Sequence, residues 1–367
     1  MKIVKIITPI VVLSIFICCG RQEDNHNFNG KILYFDDSCV ITKNVESKSV
    51  PLNGAIMSMI AVYDSLLVCW NPDHPDHFFD IFNVDTGEKI GSFCGKGRGF
   101  RESISVNCVN QFFKKGDDLM TLLYGSNEGK LFFWNISQSV KKGVTVYDTI
   151  VPYKNNSISF QFYQSEDTLL MYKASEEVSR TQVTMPFYEK RTIYTNDLIR
   201  KFPIYKGDSI ENSRVSHPVG TFYYTWDVMK PDGTKIVQVM WQLPQINMID
   251  TQTGDILGYR MKNGPDYSLL KTDMESMNIY YMNVHADDHY IYATYWGKEP
   301  WVDRIGVKMP FFNTIHVFDW NGKLCYKLIT DQSYLRVWSD SIRNRLYTMN
   351  METEEVFYLD LDELNLN

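Results

Sequence analysis

The sequence lacks most of what a nucleic-acid binder needs. Its 37 lysines and arginines are outnumbered by 44 aspartates and glutamates, for a formal charge of −7, and the basic residues form no runs. A mildly acidic body of this kind does not neutralise phosphates, so nucleic acid is excluded as a partner. A membrane-spanning run is missing too: the apolar stretch Ile6 to Ile17 has twelve residues, where a spanning helix needs about 20. Cysteine is scarce. Five of the seven, Cys39, Cys69, Cys94, Cys108 and Cys325, follow residue 19; their number is odd and their spacings match no zinc pattern. Cys94 and Cys108 flank one loop and could pair in an oxidising compartment, but most of the five sit in apolar strands, which reads as buried free thiols. No Gly-x-Ser-x-Gly elbow occurs, and no Cys–His pairing can be argued. No cofactor is implied, and the chain reads as a monomer.

What is present begins with a leader. Met1 to Gly20 reads MKIVKIITPIVVLSIFICCG, with Lys2 and Lys5 ahead of the apolar run and Cys18-Cys19-Gly20 directly after it. A short apolar core behind positive charge is a signal-peptide pattern. A Cys at its end resembles a bacterial lipoprotein signal, in which the thiol is acylated and becomes the new N-terminus. Cys19 is the expected lipidation site, with Cys18 as the alternative. Several acyl chains on one Cys give stable anchoring. No Asp follows it, which by the same resemblance points to the outer membrane. Residues 1–19 are thus read as leader, 20–30 as a polar tether, and 31–367 as one folded domain.

That domain has a folding composition, 44% hydrophobic and 14% aromatic, spread through short segments of the Val, Ile, Tyr, Phe and Trp that strands favour. A single unit recurs: apolar strand, polar turn, second apolar strand, variable loop, two more strands. Its anchor residues are Val62, Phe112, Phe162, Val228, Val284 and Val337, at intervals of 50, 50, 66, 56 and 53 residues. These are the lengths of four-stranded propeller blades. The second strands (LLVCW at 66–70, YIYATY at 290–295) are hydrophobic almost throughout, as strands buried on both faces are. Third strands end in turn chemistry, as in FFDIFNVDTGEK at 78–89, QINMIDTQTGDI at 245–256 and NTIHVFDWNGKL at 313–324, more weakly in KLFFWNIS at 130–137. The expectation is an all-β, six-bladed propeller. Its last blade runs short at Asp360, so residues 31–43 are predicted to supply the missing strand and close the ring.

At the end of the first unit stands Gly95-Lys96-Gly97-Arg98-Gly99-Phe100-Arg101-Glu102. Together with the leader and the repeat count, this resembles the TolB-like six-bladed propeller lipoproteins of Gram-negative bacteria, which commonly carry Gly-Lys-Gly-x-Gly-Pro-x-Glu here. Phe100 stands where the usual Pro would be. The resemblance covers nearly the whole chain after the leader and implies fold and location, not a reaction. The glycine run is no phosphate cradle, because a strand (105–113) and not a helix is expected to follow it.

Propeller geometry puts the short turns on one face and the longer loops on the other, where function is expected. The loop-rich face collects His74, His77, Arg98, Arg101, Glu102, Arg214, His217, Lys298, Trp301, Asp303, Arg304 and Lys308. Arg and Trp supply bidentate donors and a flat apolar plate, suited to a glycan, peptide or protein ligand. Asp73-His74-Pro75-Asp76-His77 has metal-ligand types but nothing that makes them converge, so no metal is assigned. His285-Ala286-Asp287-Asp288-His289 reads as a tight hairpin. Two functions fit: a membrane-tethered binding or scaffolding module, or a metal-dependent lactonase or lyase. The latter needs carboxylates, Asn or His on the innermost strands, where the chain offers only Asn107, Asn110, Asp227, Asn283 and Arg336.

Overall fold

The computed structural model describes residues 27–52, 59–153, 158–211, 219–271, 277–298, 302–303, 306–307, 312–350, 352–364 and 366. The leader, with Cys18 and Cys19, lies outside them. Among the described residues no helix is long and apolar enough to cross a membrane.

The fold is all-β, and among the described residues it is built on six sheets of four or more strands. The first runs through Met59–Tyr63, Leu66–Trp70, His77–Asn83 and Lys89–Gly95. The second comprises Phe112–Lys115, Asp118–Gly125, Lys130–Asn135 and Tyr147–Pro152. The third comprises Ile158–Ser165, Thr168–Lys173, Phe187–Thr192 and Leu198–Pro203. Thr225–Met229, Lys235–Met240, Gln245–Asp250 and Ile256–Met261 form the antiparallel part of the fourth. The fifth has Ile279–Ala286, Tyr290–Lys298, Thr314–Asp319 and Leu324–Thr330, and the sixth Tyr334–Asp340, Arg345–Asn350 and Val356–Asp360. All six anchor residues fall in first strands, and the ends of the six first strands line one cavity. That radial arrangement is a β-propeller. The burial follows from it: Leu67, Val68, Cys69, Leu170, Met171, Ile291 and Ala293, all on second strands, are at most 1% exposed because they are sandwiched between neighbouring sheets.

Residues 31–43 do not complete the last sheet, contrary to the expectation. Lys31–Phe35 pairs in parallel with Ile256–Met261, and Ile41–Val45 in parallel with Leu324–Thr330, each as a fifth, outermost strand. The strand added to the sixth sheet is Lys48–Ser49, antiparallel to Val356–Asp360, with Val50 N–H donating to Val356 O at 2.9 Å. The sequence misled because 31–35 and 41–43 are the more apolar segments, whereas the strand that reaches the C-terminal sheet needs only two residues with free backbone groups. Two residues predicted to lie in the polar tether pack onto the fold instead. Phe28 is 4% exposed and packs between Tyr205 and Tyr267, while Asn29 N–H donates to Ile204 O at 3.0 Å.

Two further differences are local. KLFFWNIS does not turn directly into the next strand; Asn135 caps a helix, Ile136–Lys142, by accepting from Gln138 N–H, and Gly143 ends it at φ 66°. The strand expected at 105–113 begins only at Phe112, and 104–111 runs as irregular chain. The third unit, whose 66-residue interval from Phe162 to Val228 is the longest, holds an extra three-stranded element, Glu177–Ser179, Gln182–Thr184 and Ser209–Glu211.

The N-terminal strands make a measurable contribution. Phe35 is 7% exposed with its ring edge-on to Phe318 at 5.3 Å, whereas Ile41 is 60% exposed. Phe35→Ala is expected to cost about 3 kcal/mol in a denaturant titration and Ile41→Ala under about 0.5. Equal small effects would show that the outer strand is not packed.

Candidate functional site

Two of the loops predicted to form the site, 71–77 and 95–102, make hydrogen bonds within themselves. In 71–77, Asn71 Oδ1 accepts from the backbone N–H groups of Asp73 and His74, and the His74 and His77 rings lie 3.5 Å apart between centroids. His77 Nε2 sits 2.9 Å from Asp80 Oδ1, which also contacts Lys89 at 2.8 Å and Ser92 at 2.7 Å. Burial lowers the His77 pKa against the pull of Asp80. Burial pushes Asp80 up, but Lys89 and Ser92 outweigh it and hold the carboxyl below its usual range.

The glycine loop has a structural logic of its own. Glu102 folds back so that Oε2 accepts Gly99 N–H at 2.9 Å, and a Cβ at Gly97 would lie 1.9 Å from that oxygen. A side chain at Gly97 would displace the carboxylate from this position. Glu102 thus closes its own loop, while Arg98, Phe100 and Arg101 are exposed around it.

Arg214, His217, Trp301, Arg304 and Lys308 lie outside the described residues, and Asp303 is placed only by its backbone pairing with Gly306. None of His74, His77, Arg98, Arg101, Glu102 and Lys298 lines the propeller's two central cavities. Among the described residues no group of three or more His, Cys, Asp or Glu could hold a metal ion. Cys39, Cys69, Cys94, Cys108 and Cys325 are all free; Cys69 and Cys94 are buried, Cys108 and Cys325 half-buried and Cys39 exposed.

The cavities lie at opposite ends of the axis. On the loop-rich face a cavity of about 290 Å³ is lined by Asn107, Cys108, Asn110, Phe160, Tyr172, Ala174, Ser175, Gly220, Tyr223, Tyr224, Thr225 and Trp226, none of them charged. Its walls come from the irregular stretch before the second sheet, the inner edge of the third, and the chain 220–226. There the short helix Val219–Phe222 delivers Tyr223 and Tyr224 to the first strand of the fourth sheet. Trp226 sits 5.9 Å from Phe160 and 6.4 Å from Tyr224, both edge-on. The run Phe222-Tyr223-Tyr224-Thr225-Trp226 was the available signal in the sequence; what it could not show is that Phe160 and Tyr172 stand opposite it.

At the short-turn face the cavity is about 440 Å³ and includes Tyr63, Phe112, Lys114, Asp232, His285, Trp338 and Asp340 among its lining. The Asp287–Tyr290 turn follows the predicted hairpin chemistry, with Asp287 Oδ1 accepting from His289 and Tyr290 N–H. His285, however, points away from that turn: its ring stacks on Trp338 at 4.0 Å and its Nδ1 accepts from Ser339 N–H at 3.0 Å. Burial, with Arg336 nearby, drops its pKa to about 3, so the imidazole is neutral.

Two ionisable groups are buried beside the loop-rich cavity. Arg336, 4% exposed, donates from Nη2 to Val109 O at 2.9 Å and lies over the Trp338 ring at 5.4 Å, with no carboxylate partner among the described residues. Asp227, 5% exposed, accepts from Gln238 Nε2 at 2.7 Å and from the Tyr188 hydroxyl. Burial raises its pKa to about 6 despite these hydrogen bonds.

Comparisons place the fold and little more. No family model matches the chain, and no curated protein matches it by sequence. Among solved structures, a member of the DUF4221 family from Bacteroides vulgatus superposes with a TM-score of 0.57 at 10% identity, covering 88% of this chain and 97% of that one. A Bacteroides fragilis protein described as exported gives 0.46 at 14% identity over 92% and 96%. The β-propeller domain of Cps50 from Myceliophteria thermophila gives 0.41 at 10% over 86% and 99%. At these identities the first likeness speaks to the fold alone.

Asp227 yields a pH prediction. Its folded-state pKa lies above the ordinary 3.8, so the folded protein retains a proton that the unfolded chain releases first. The associated stability is present at low pH and lost as pH rises through about 6. Asp227→Asn, which keeps an acceptor for Tyr188, is expected to gain up to about 3 kcal/mol on wild type between about pH 4 and pH 8. Denaturant midpoints that stay parallel across that range would refute the buried, raised carboxyl.

Proposed function

We propose that this protein is an exported, lipid-anchored six-bladed propeller that works as a binding or scaffolding module through its loop-rich face. The observation that carries the binding role is the uncharged, aromatic-lined cavity at that mouth, with Phe160, Tyr172, Tyr223, Tyr224 and Trp226 in its walls. Concave, apolar sites with a few polar groups are where small ligands bind. The six large sheets are read as six blades, with Lys48–Ser49 joining the chain's two ends in the last. The leader ending in Cys18-Cys19 supports export and acylation at Cys19, in the manner of the TolB-like lipoproteins that the Gly95–Glu102 loop resembles. Attachment to the outer membrane through that lipid would leave the propeller facing the periplasm or the cell surface. His74, His77, Arg98, Arg101 and Glu102, with Arg214, His217, Trp301, Asp303 and Arg304, belong to the surrounding rim in this reading.

The alternative, a metal-dependent lactonase or lyase, calls for carboxylates or His facing the channel from several first strands. Among the described residues Asp227 is the buried carboxylate beside the loop-rich mouth, and it is turned toward Tyr188 and Gln238.

Two measurements test the proposal together. Metabolic labelling with an alkyne fatty acid should mark the wild-type chain, and Cys19→Ala should abolish the label and release the protein from membranes. A photo-crosslinking residue at Phe100, 75% exposed on the loop-rich face, should capture a membrane-associated partner or ligand where one at the exposed Asn321, in a short turn, does not. Label retained in Cys19→Ala and Cys18→Ala alike, or capture from Asn321 only, would defeat the anchoring and the face assignment respectively.

A further inference from the structure

The most exposed large apolar side chain among the described residues stands on the loop-rich face. Phe100 is 75% exposed and Ile104, on the same loop, 49%. The strand Lys89–Gly95 leaves the short turn 84–88 and so ends at the opposite face, where 96–104 follows it. This loop is held in place. Glu102 Oε2 accepts Gly99 N–H at 2.9 Å, and Glu128 accepts Ile104 N–H through Oε1 and the Ser103 hydroxyl through Oε2, each at 2.6 Å. Both carboxylates are engaged by donors of the loop itself. Arg98 and Arg101, in contrast, are exposed and make no hydrogen bond or ion pair to a described residue. Lys130 lies over the Phe100 ring at 5.8 Å, while Lys96 donates to Pro72 O and lies over Phe78. The tip of the loop thus presents two apolar side chains beside three cations. Exposed apolar groups set in a rim of charge mark an interaction surface.

The N-terminal segment enters the fold on the same face. Leu198–Pro203 leaves the short turn 193–197 and therefore also ends at the loop-rich side. Just beyond its end, Asn29 N–H donates to Ile204 O, Phe28 packs on Tyr205, and Lys206 N–H donates to Asn27 O. Seven residues, 20–26, separate Cys19 from Asn27. A fully extended chain rises at most about 3.6 Å per residue, so an acyl anchor on Cys19 holds this side of the propeller within about 30 Å of the bilayer. Docking from that distance is an intramolecular step and needs little affinity of its own, which is why two apolar side chains suffice. Charge then selects the contact. Without Lys2 and Lys5 the chain has 35 bases against 44 acids, so an anionic surface repels the body and attracts its basic tip.

We infer that the 98–104 tip is a second membrane contact, in which Phe100 and Ile104 enter the headgroup region of an anionic bilayer and Arg98, Arg101 and Lys130 meet lipid phosphates. This assignment rests on acylation at Cys19 and goes beyond it, because a second contact fixes which way the propeller faces. Apolar side chains buried at the acyl boundary and cations beside anionic headgroups act together in interfacial binding. The residues that close the loop, Gly99 and Glu102, are separate from those that reach outward, and Phe100 occupies the place of the usual Pro. With this face toward the bilayer, the aromatic-lined cavity opens to molecules carried by the membrane. A protein that covers Phe100 is the competing occupant and forms one outcome of the test.

The experiment uses the acylated chain as extracted from membranes, reconstituted into vesicles of phosphatidylcholine alone or of phosphatidylcholine with phosphatidylglycerol. A benzophenone amino acid is placed at Phe100, at Ile104 or, as control, at the exposed Asn321 in a short turn. Adducts are identified by mass spectrometry. Phospholipid adducts are expected at Phe100 and Ile104, about threefold or more stronger with phosphatidylglycerol, and at background from Asn321. Arg98→Glu combined with Arg101→Glu should cut the Ile104 adduct about threefold to tenfold in the mixed vesicles. Both arginines are exposed, so the denaturant midpoint should not move. Intact mass reports acylation separately. An acylated chain with no lipid adduct at either tip position, or with as much at Asn321, overturns the contact and leaves the anchor standing. Adducts indifferent to phosphatidylglycerol and to the charge reversal overturn the anionic surface as the occupant. A chain found without acyl groups removes the anchor and this inference with it. In whole cells, a protein adduct at Phe100 in place of lipid assigns the tip to a protein partner and defeats the membrane contact.

Discussion

A sheet edge with free N–H and C=O groups is the constraint from which the rest of this architecture follows. The C-terminal three-stranded meander, 334–360, would end on such an edge, and Lys48–Val50 covers it by backbone hydrogen bonds to Val356 and its neighbours. The same problem is met differently at the fourth and fifth sheets, where Lys31–Phe35 and Ile41–Val45 lie in parallel along the outermost strands. The N-terminal segment thus protects three consecutive sheets in turn. Because it is laid along them, Phe28, Phe35, Val45 and Val50 are buried at their margins, and the side chains of the second strands remain enclosed.

With the edges satisfied, the first strands converge, and their convergence creates the two mouths. Each mouth is chemically distinct because alternate residues of one strand face different neighbours. On Thr225–Met229, Thr225 and Trp226 meet the loop-rich cavity, Asp227 turns to Tyr188 and Gln238, and Val228 and Met229 reach the opposite cavity. A single five-residue strand therefore contributes to the cavity at the loop-rich mouth, a buried polar contact and the far end of the channel. The energetic tension is concentrated here: Asp227 carries a raised pKa, Arg336 has no ion-pair partner among the described residues, and Asn107, Tyr223 and Trp226 keep unpaired donors.

The Gly95–Glu102 loop shows how a recognisable motif and a site can part company. Its Glu102 carboxylate packs against Gly97 and Gly99 and accepts Gly99 N–H, contacts internal to the loop. The residues that line the central mouth have no comparable spacing, since Asn107, Phe160, Tyr172, Tyr223 and Trp226 come from four separate stretches of chain. Periodicity reveals a strand and glycine spacing reveals a turn; neither reports which strand ends meet across a channel.

By itself the sequence determined the leader pattern, the all-β repeat, six anchors in first strands, and the hairpin chemistry of turns such as 287–290, because these depend on residues adjacent in the chain and on side-chain alternation of period two. The third unit was hard to read because an extra three-stranded element interrupts it, and the helix after Asn135 because one capping residue decides it. Tertiary structure alone decided which N-terminal segment meets the last sheet, which of the polar loop residues are satisfied among themselves, and which aromatic residues meet at the loop-rich mouth. Those outcomes are set by contacts between segments from 17 to well over 200 residues apart, such as Asn107 with Tyr124 at the near end and Arg336 with Val109 at the far end, and no local pattern encodes them.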